Sequence, residues 1–148
     1  MNDLNGYDAE DLKPGMSASM IKSVAQADID GFAKVSGDVN PVHIDPTYAS
    51  GTPFGGTIAH GMLSASFISA ALANRLPGPG SIYLEQTLKF HAPVRPGDEV
   101  ETVVTVKEVR DKGRVVLATE CRVGAKTVLS GEATVKVGSA ARRQAKAG

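Results

Sequence analysis

The chain has one cysteine, no tryptophan and no excess charge of either sign: sixteen Lys and Arg balance sixteen Asp and Glu in 148 residues. A lone Cys121 cannot close an intrachain disulfide, and no CxxC or Cys/His cluster offers zinc-ligand spacing, so no metal site is expected. Charge balance supplies no global field for gathering nucleic acid or an anionic membrane, although a local basic patch could still hold a phosphorylated ligand. No apolar run suits a bilayer. The most apolar stretch, 58–76, is interrupted by His60, Ser64, Ser66, Ser69, Asn74 and Arg75, which are costly in lipid. The opening MNDLNGYDAED is polar and acidic where a secretory signal needs a basic start and an apolar run. With the single cysteine, that points to a cytoplasmic address. GxGxxG and P-loop patterns are missing too, which leaves nicotinamide chemistry and nucleotide hydrolysis without support.

What is present is ordinary for a globular domain: 42% apolar and 22% charged residues. A chain this long buries roughly 70% of its unfolded surface around a single core. One domain is expected over residues 1–137. The remaining GSAARRQAKAG, 138–148, has no apolar anchor and reads as a disordered tail whose basic residues are solvated.

Met16 to Val24, after a Pro14-Gly15 turn, reads as a short strand, and Ala27 to Ser36 carries Ile29, Phe32 and Ala33 at helical spacing. The decapeptide Gly37 to Pro46, GDVNPVHIDP, is so dense in turn formers that a loop is expected. From Gly61 to Arg75, GMLSASFISAALANR is apolar or small on every side and is stopped by Leu76-Pro77-Gly78-Pro79-Gly80. A helix of that kind needs covering. Ile82, Leu84, Leu88 and Phe90 alternate with Tyr83, Glu85, Thr87 and Lys89, and three Val/Thr-rich stretches follow at 100–110, 115–123 and 127–137. The turns between them (95–98, 111–113 and 124–126) are too short for crossover helices, so successive strands are expected to be antiparallel neighbours. The result is an α+β fold, a long central helix wrapped by a curved antiparallel sheet.

The chemistry concentrates in GDVNPVHIDP. Pro41 fixes its own φ and biases Asn40 toward extended backbone, leaving the segment between Asp38 and His43 few shapes. Asn40 can tie that segment to neighbouring backbone through its side chain. A carboxylate and an imidazole five residues apart can then hold one water between them and exchange a proton with it near neutral pH. Spacing alone leaves a second reading open, in which Asp38 caps a turn and His43 is a satisfied loop histidine.

FAKVSGDVNPVHIDPTYA, followed by GGTIAHGMLSASFISA and then GSIYLEQTLKFHAPVRPGDEV, resembles the MaoC-like, (R)-specific enoyl-CoA hydratase family. That family has a hot-dog fold and a motif of the form S-G-D-x-N-P-[LIV]-H, and the likeness runs from about Leu12 to Val137. It implies that Asp38 and His43 bind the catalytic water and carry the proton transfers. The reaction implied is reversible syn hydration of a trans-2-enoyl-CoA to an (R)-3-hydroxyacyl-CoA. No cofactor is implied beyond the CoA of the substrate, and the partner implied is a second copy in a homodimer.

Addition at C3 pushes charge onto the thioester oxygen, which requires a donor where that charge develops. Gly61, opening the central helix with free amides and no Cβ, is the candidate. Ser69 falls where relatives carry a serine near the catalytic aspartate and the acyl pocket. His60 and His91 read as structural, and Met62, Leu63, Phe67 and Leu72 as core. Asp45 and Tyr48 belong to turn and packing. Lys89, Arg95 and Arg75 are candidates for CoA phosphates, with none assigned. Two alternatives share the fold: an acyl-CoA thioesterase and a non-catalytic acyl-CoA-binding dimer. The Asn-Pro-x-His beside the carboxylate argues against the first, and retention of both ionisable groups against the second. Direction, pathway and acyl chain length are left open by the sequence.

Overall fold

The computed structural model describes residues 6–139; residues 140–148, most of the expected tail, lie outside it. Strand β1 (Ser17–Ser23) leads into helix α1 (Gln26–Ser36), then two short helices, α2 (Pro41–Ile44) and α3 (Pro46–Ser50), and the central helix α4 (Gly61–Asn74). Strands β2 (Ile82–Gln86), β3 (Lys89–Phe90), β4 (Glu99–Val109), β5 (Arg114–Val123) and β6 (Lys126–Lys136) complete the fold. All belong to one six-stranded sheet in the order β1-β4-β5-β6-β2, with β3 also on β6, and every pairing is antiparallel. Among the described residues no helix is long and apolar enough to cross a membrane.

Two expectations need correcting here. β4, β5 and β6 form the predicted meander, but β3 and β4 are not neighbours, because the 91–98 connection carries the chain past β5 and β6. The decapeptide is not wholly irregular either. Asn40 caps α2 by accepting from the Val42 amide at 3.2 Å, and Asp45 caps α3 by accepting from Thr47 and Tyr48 at 3.0 and 3.1 Å. In each case a proline occupies the first helical position, where its missing N–H costs nothing. Asx-Pro, read as loop chemistry, here starts a helix twice.

The core follows from strand alternation. Val100, Thr102, Val104 and Val106 of β4, with Val115, Leu117, Thr119 and Cys121 of β5, point inward and are buried. Leu63, Ile68 and Leu72 of α4 close against them, and Cys121 Sγ lies 3.7 Å from the Ser64 carbonyl oxygen. Burying each such leucine or isoleucine is worth about 1.5–3 kcal/mol. Register shifts at Val106/Glu108, Cys121/Arg122 and Tyr83/Glu85 bend the sheet. Covering of α4 is incomplete. Met62, placed in the core from sequence, is 55% exposed, and Ser66, Ser69 and Ala73 continue that stripe along the helix. The alternation expected over 82–90 also fails, since Ile82, Tyr83, Leu84 and Phe90 are all exposed. Tyr48, expected to pack, is exposed as well.

The β2–β3 segment lies very close to β6. A Cβ on Gly131 would sit 1.8 Å from the Thr87 carbonyl oxygen, and Thr87 bonds Glu132 through both its amide and its hydroxyl. Gly131→Ala is therefore expected to lower stability by about 1–3 kcal/mol, read from the denaturant midpoint; an unchanged midpoint would contradict the close approach. Arg122 of β5 and Thr127 of β6 both donate to the Glu120 carboxylate and hold its pKa below the ordinary glutamate value, with partial burial opposing them. The sign is that of a depressed carboxylate: its contribution is present at neutral pH and is lost as pH falls through the lowered pKa. Glu120→Gln is expected to flatten the fall in thermal stability below about pH 4, and an acid limb identical to wild type would argue against the pairing.

Candidate active site

Gly37 ends α1 in the left-handed region at φ 81°, its amide donating to the Ala33 carbonyl, and so turns the chain before Asp38. The Asp38 amide donates to Ser36 Oγ at 3.1 Å, and Asp38 Oδ1 accepts from the Asn40 amide at 3.2 Å. Pro41 and the Asn40 cap then wind α2, which places His43 on its inner side, 9% exposed. Gln26 braces this arrangement from α1, donating to the His43 carbonyl and accepting from Thr57 Oγ1, each at 3.0 Å.

His43 Nδ1 lies 2.8 Å from the Ile58 carbonyl oxygen. A carbonyl only accepts, so Nδ1 carries the hydrogen and Nε2 is left free to face a guest. His60 repeats the pattern with its nitrogens exchanged: Nε2 donates to the Asp38 carbonyl at 2.9 Å. The two imidazoles are stacked, with centroids 3.9 Å apart and planes inclined by 27°, and Phe32 covers His60 at 4.8 Å. A carboxylate oxygen of Asp38, a ring nitrogen of His43 and a ring nitrogen of His60 all lie within 4.8 Å of one another. Two hydrogen bonds of about 2.8 Å span such a gap, so a water fits between Asp38 and His43. Stacking makes the trio a poor cation site. An ion in the plane of one imidazole lies well out of the plane of the other.

Asp38, His43 and His60 form the polar wall of a cavity of about 560 Å³ whose other walls include Phe54, Phe90, Val94 and Leu129. Gly61 and Met62, the first residues of α4, also line it. Among the described residues neither amide has an acceptor, as the first turn of a helix dictates. The absent side chain of Gly61 is filled by Phe90: a Cβ there would meet Cε1 of that ring at 2.6 Å. The cavity thus offers an acid–imidazole pair, unpaired helix amides with the positive end of a helix dipole, and an apolar interior.

The structure brings together Asp38, Asn40, His43 and Gly61, but not Ser69. That residue is exposed and lines a neighbouring cavity of about 480 Å³ with Phe32, Tyr83, Leu84 and Leu88; Met62 borders both. Lys89, Arg95 and Arg75 line neither cavity, although Arg95 Nη1 reaches within 4.0 Å of where a Gly56 Cβ would sit. His91, given a structural reading, lines the main cavity and bonds Ser130 Oγ at 2.7 Å. His60, also given a structural reading, bonds the Asp38 carbonyl 22 residues away, and its sequence signal is its place immediately before the helix-opening glycine.

A helix laid on a bent antiparallel sheet, with an acid and an imidazole at the helix mouth, is the hot-dog arrangement. The chain belongs to the MaoC-like family: residues 11–128 match the MaoC like domain. It is 54% identical over 129 residues to an (R)-specific enoyl-CoA hydratase of Rhodospirillum rubrum, covering 86% of this chain and 90% of the relative. It is 50% identical to a 3-hydroxybutyryl-CoA dehydratase of Methylorubrum extorquens, covering 86% of this chain and 82% of that one. The unliganded R-hydratase PhaJ1 of Pseudomonas aeruginosa superposes with a TM-score of 0.88 at 44% identity, over 92% of this chain and 88% of that one.

Proposed function

We propose that this protein is an (R)-specific enoyl-CoA hydratase, adding water reversibly to a trans-2-enoyl-CoA to give an (R)-3-hydroxyacyl-CoA. The carrying observation is the convergence of the Asp38 carboxylate and an imidazole nitrogen of His43 within 4.8 Å, on the wall of an apolar cavity. Water held by the pair attacks C3 as its proton passes to the pair, and a proton returns to C2 from the same face. Charge that gathers on the thioester oxygen in between meets the free amide of Gly61 at the positive end of α4. Hydroxyl and proton together make one water. No electron changes hands, so the step balances with water, thioester and these residues, and CoA enters only as part of the substrate. The names of the two relatives describe this reaction from its opposite ends.

The reading includes a homodimer in the cytoplasm. Ile82, Leu84, Phe90 and Met62 expose apolar surface beside the outer edge of β2, which among the described residues pairs with no further strand, a combination that favours burial against a second copy. Cys121 is buried and free, as suits a reducing compartment.

Purified protein mixed with crotonyl-CoA is expected to consume the conjugated enoyl absorbance and yield the (R) product. Absence of turnover across several chain lengths would remove the assignment, and release of free thiol would indicate a thioesterase. Asp38→Asn and His43→Ala are each expected to lower kcat by about 10²–10⁴, and near-wild-type turnover by either would contradict its role. Gly61→Ala, which pushes Phe90 away and blocks approach to the amide, is expected to cost about 10²–10³ in kcat. Sedimentation should give twice the chain mass, and Leu84→Lys should shift it toward one; a wild-type monomer at micromolar concentration would refute the dimer.

A further inference from the structure

His60 is 2% exposed, yet its Nδ1 has no hydrogen-bond partner among the described residues. A buried polar atom left unpaired is unfavourable, and an apolar side chain of similar size would avoid it. What an apolar residue could not do is supply the other nitrogen's bond, Nε2 to the Asp38 carbonyl at 2.9 Å. Nor would an aliphatic one supply a flat face for His43 at 3.9 Å.

We infer that His60 is a positioning residue, holding the Asp38 backbone and the His43 ring in register with each other and with the first amide of the central helix. This rests on the hydratase reading above. The mechanical logic comes from the chain. Asp38 follows a left-handed glycine and is itself exposed; among the described residues its carboxylate accepts from the Asn40 amide and its own amide donates to Ser36 Oγ. Both ties lie within residues 36–40, so neither fixes the segment relative to α4. The His60 bond anchors it to the residue that caps α4, and Phe32 packs against the same imidazole with its ring tilted by 57°. His43 is fixed twice, through Nδ1 to Ile58 in its plane and by His60 across its face. Because Ile58 and His60 belong to the same segment, the acid, the imidazole and the Gly61 amide are all referenced to residues 58–61.

Three variants separate the two contacts. His60→Gln retains a donor for the Asp38 carbonyl and loses the ring; His60→Phe retains the ring and leaves that carbonyl unpaired; His60→Ala loses both. With crotonyl-CoA, His60→Ala is expected to lose about 100-fold in kcat, the scale of a 1 Å misplacement, with KM nearly unchanged. Gln and Phe should each recover part of the loss. The ¹⁵N imidazole signals of His43 should report one tautomer in the wild type and a mixture in His60→Ala.

Variants with wild-type kcat and a single His43 tautomer would overturn the inference. So would a loss confined to KM, or one that follows the fraction unfolded. If the wild-type protein itself shows no hydration, the hydratase reading fails, and the tautomer signals alone decide whether His60 orders His43. Should His60→Ala fail to fold, the Gln and Phe pair carries the comparison, since each preserves one contact.

Discussion

Two imidazole-to-carbonyl hydrogen bonds hold the site together: His43 to Ile58 and His60 to Asp38. They run in opposite directions between the same two segments, 38–43 and 58–60, so that each segment donates one ring and supplies one carbonyl. A single such bond would leave a hinge, whereas two leave the segments little freedom to slide. Each also consumes one ring nitrogen and thereby fixes a tautomer. For His43 that leaves a nitrogen available to a guest in the cavity, and for His60 it leaves one without a partner among the described residues.

The rest of the fold supplies a frame for that junction. The meander of β4, β5 and β6 builds a wide, buried face, and α4 lies on it with Leu63, Ile68 and Leu72 inward. Since the helix is anchored along its length, its first turn is fixed relative to the sheet. His60, as the residue before that turn, inherits the fixed position. Helix α1 contributes from the other side, with Phe32 packed on the His60 ring and Gln26 bridging the His43 carbonyl and Thr57. The polar site is thus built where three anchored elements meet, and its precision derives from apolar packing some distance away.

Local signals in the sequence carried the reading where the chemistry was itself local. Gly37 as a turn, Asn40 as a tether, the proline-stiffened segment between Asp38 and His43, and Gly61 at a helix start are all properties of neighbouring residues. Apart from 82–90, which divides into β2 and β3, the expected strands and central helix fall within one or two residues of the observed ones, because periodicity and turn formers mark their ends. Pairing order did not follow, since the return of β2 and β3 to β6 depends on a bulge and on Gly131, neither of which alters a period of two. Asx-Pro was legible as a constraint but not as a helix start, because the same residues cap short helices and close turns. His60 reads as structural from the sequence, but what it holds is not legible there, because its contacts are to residues far away in the chain.

Phe90 connects the sheet edge to the site. Strand β3 is only two residues long and its outward neighbours are exposed, yet the Phe90 ring rests on Gly61, where the free helix amide borders the cavity. What holds β3 in place is its pairing with Ser130 and Leu129 of β6 and the near approach of Thr87 to Gly131 just before it. The position of Phe90 over the helix mouth therefore depends on a close approach at Gly131, in a strand that carries none of Asp38, His43 and His60. A group that shifts this edge, whether a side chain at 131 or a second copy laid along β2, acts on the donor at Gly61 through one aromatic ring. In such an architecture the least regular part of the sheet is tied most directly to the chemistry, while its most regular part supplies the rigidity.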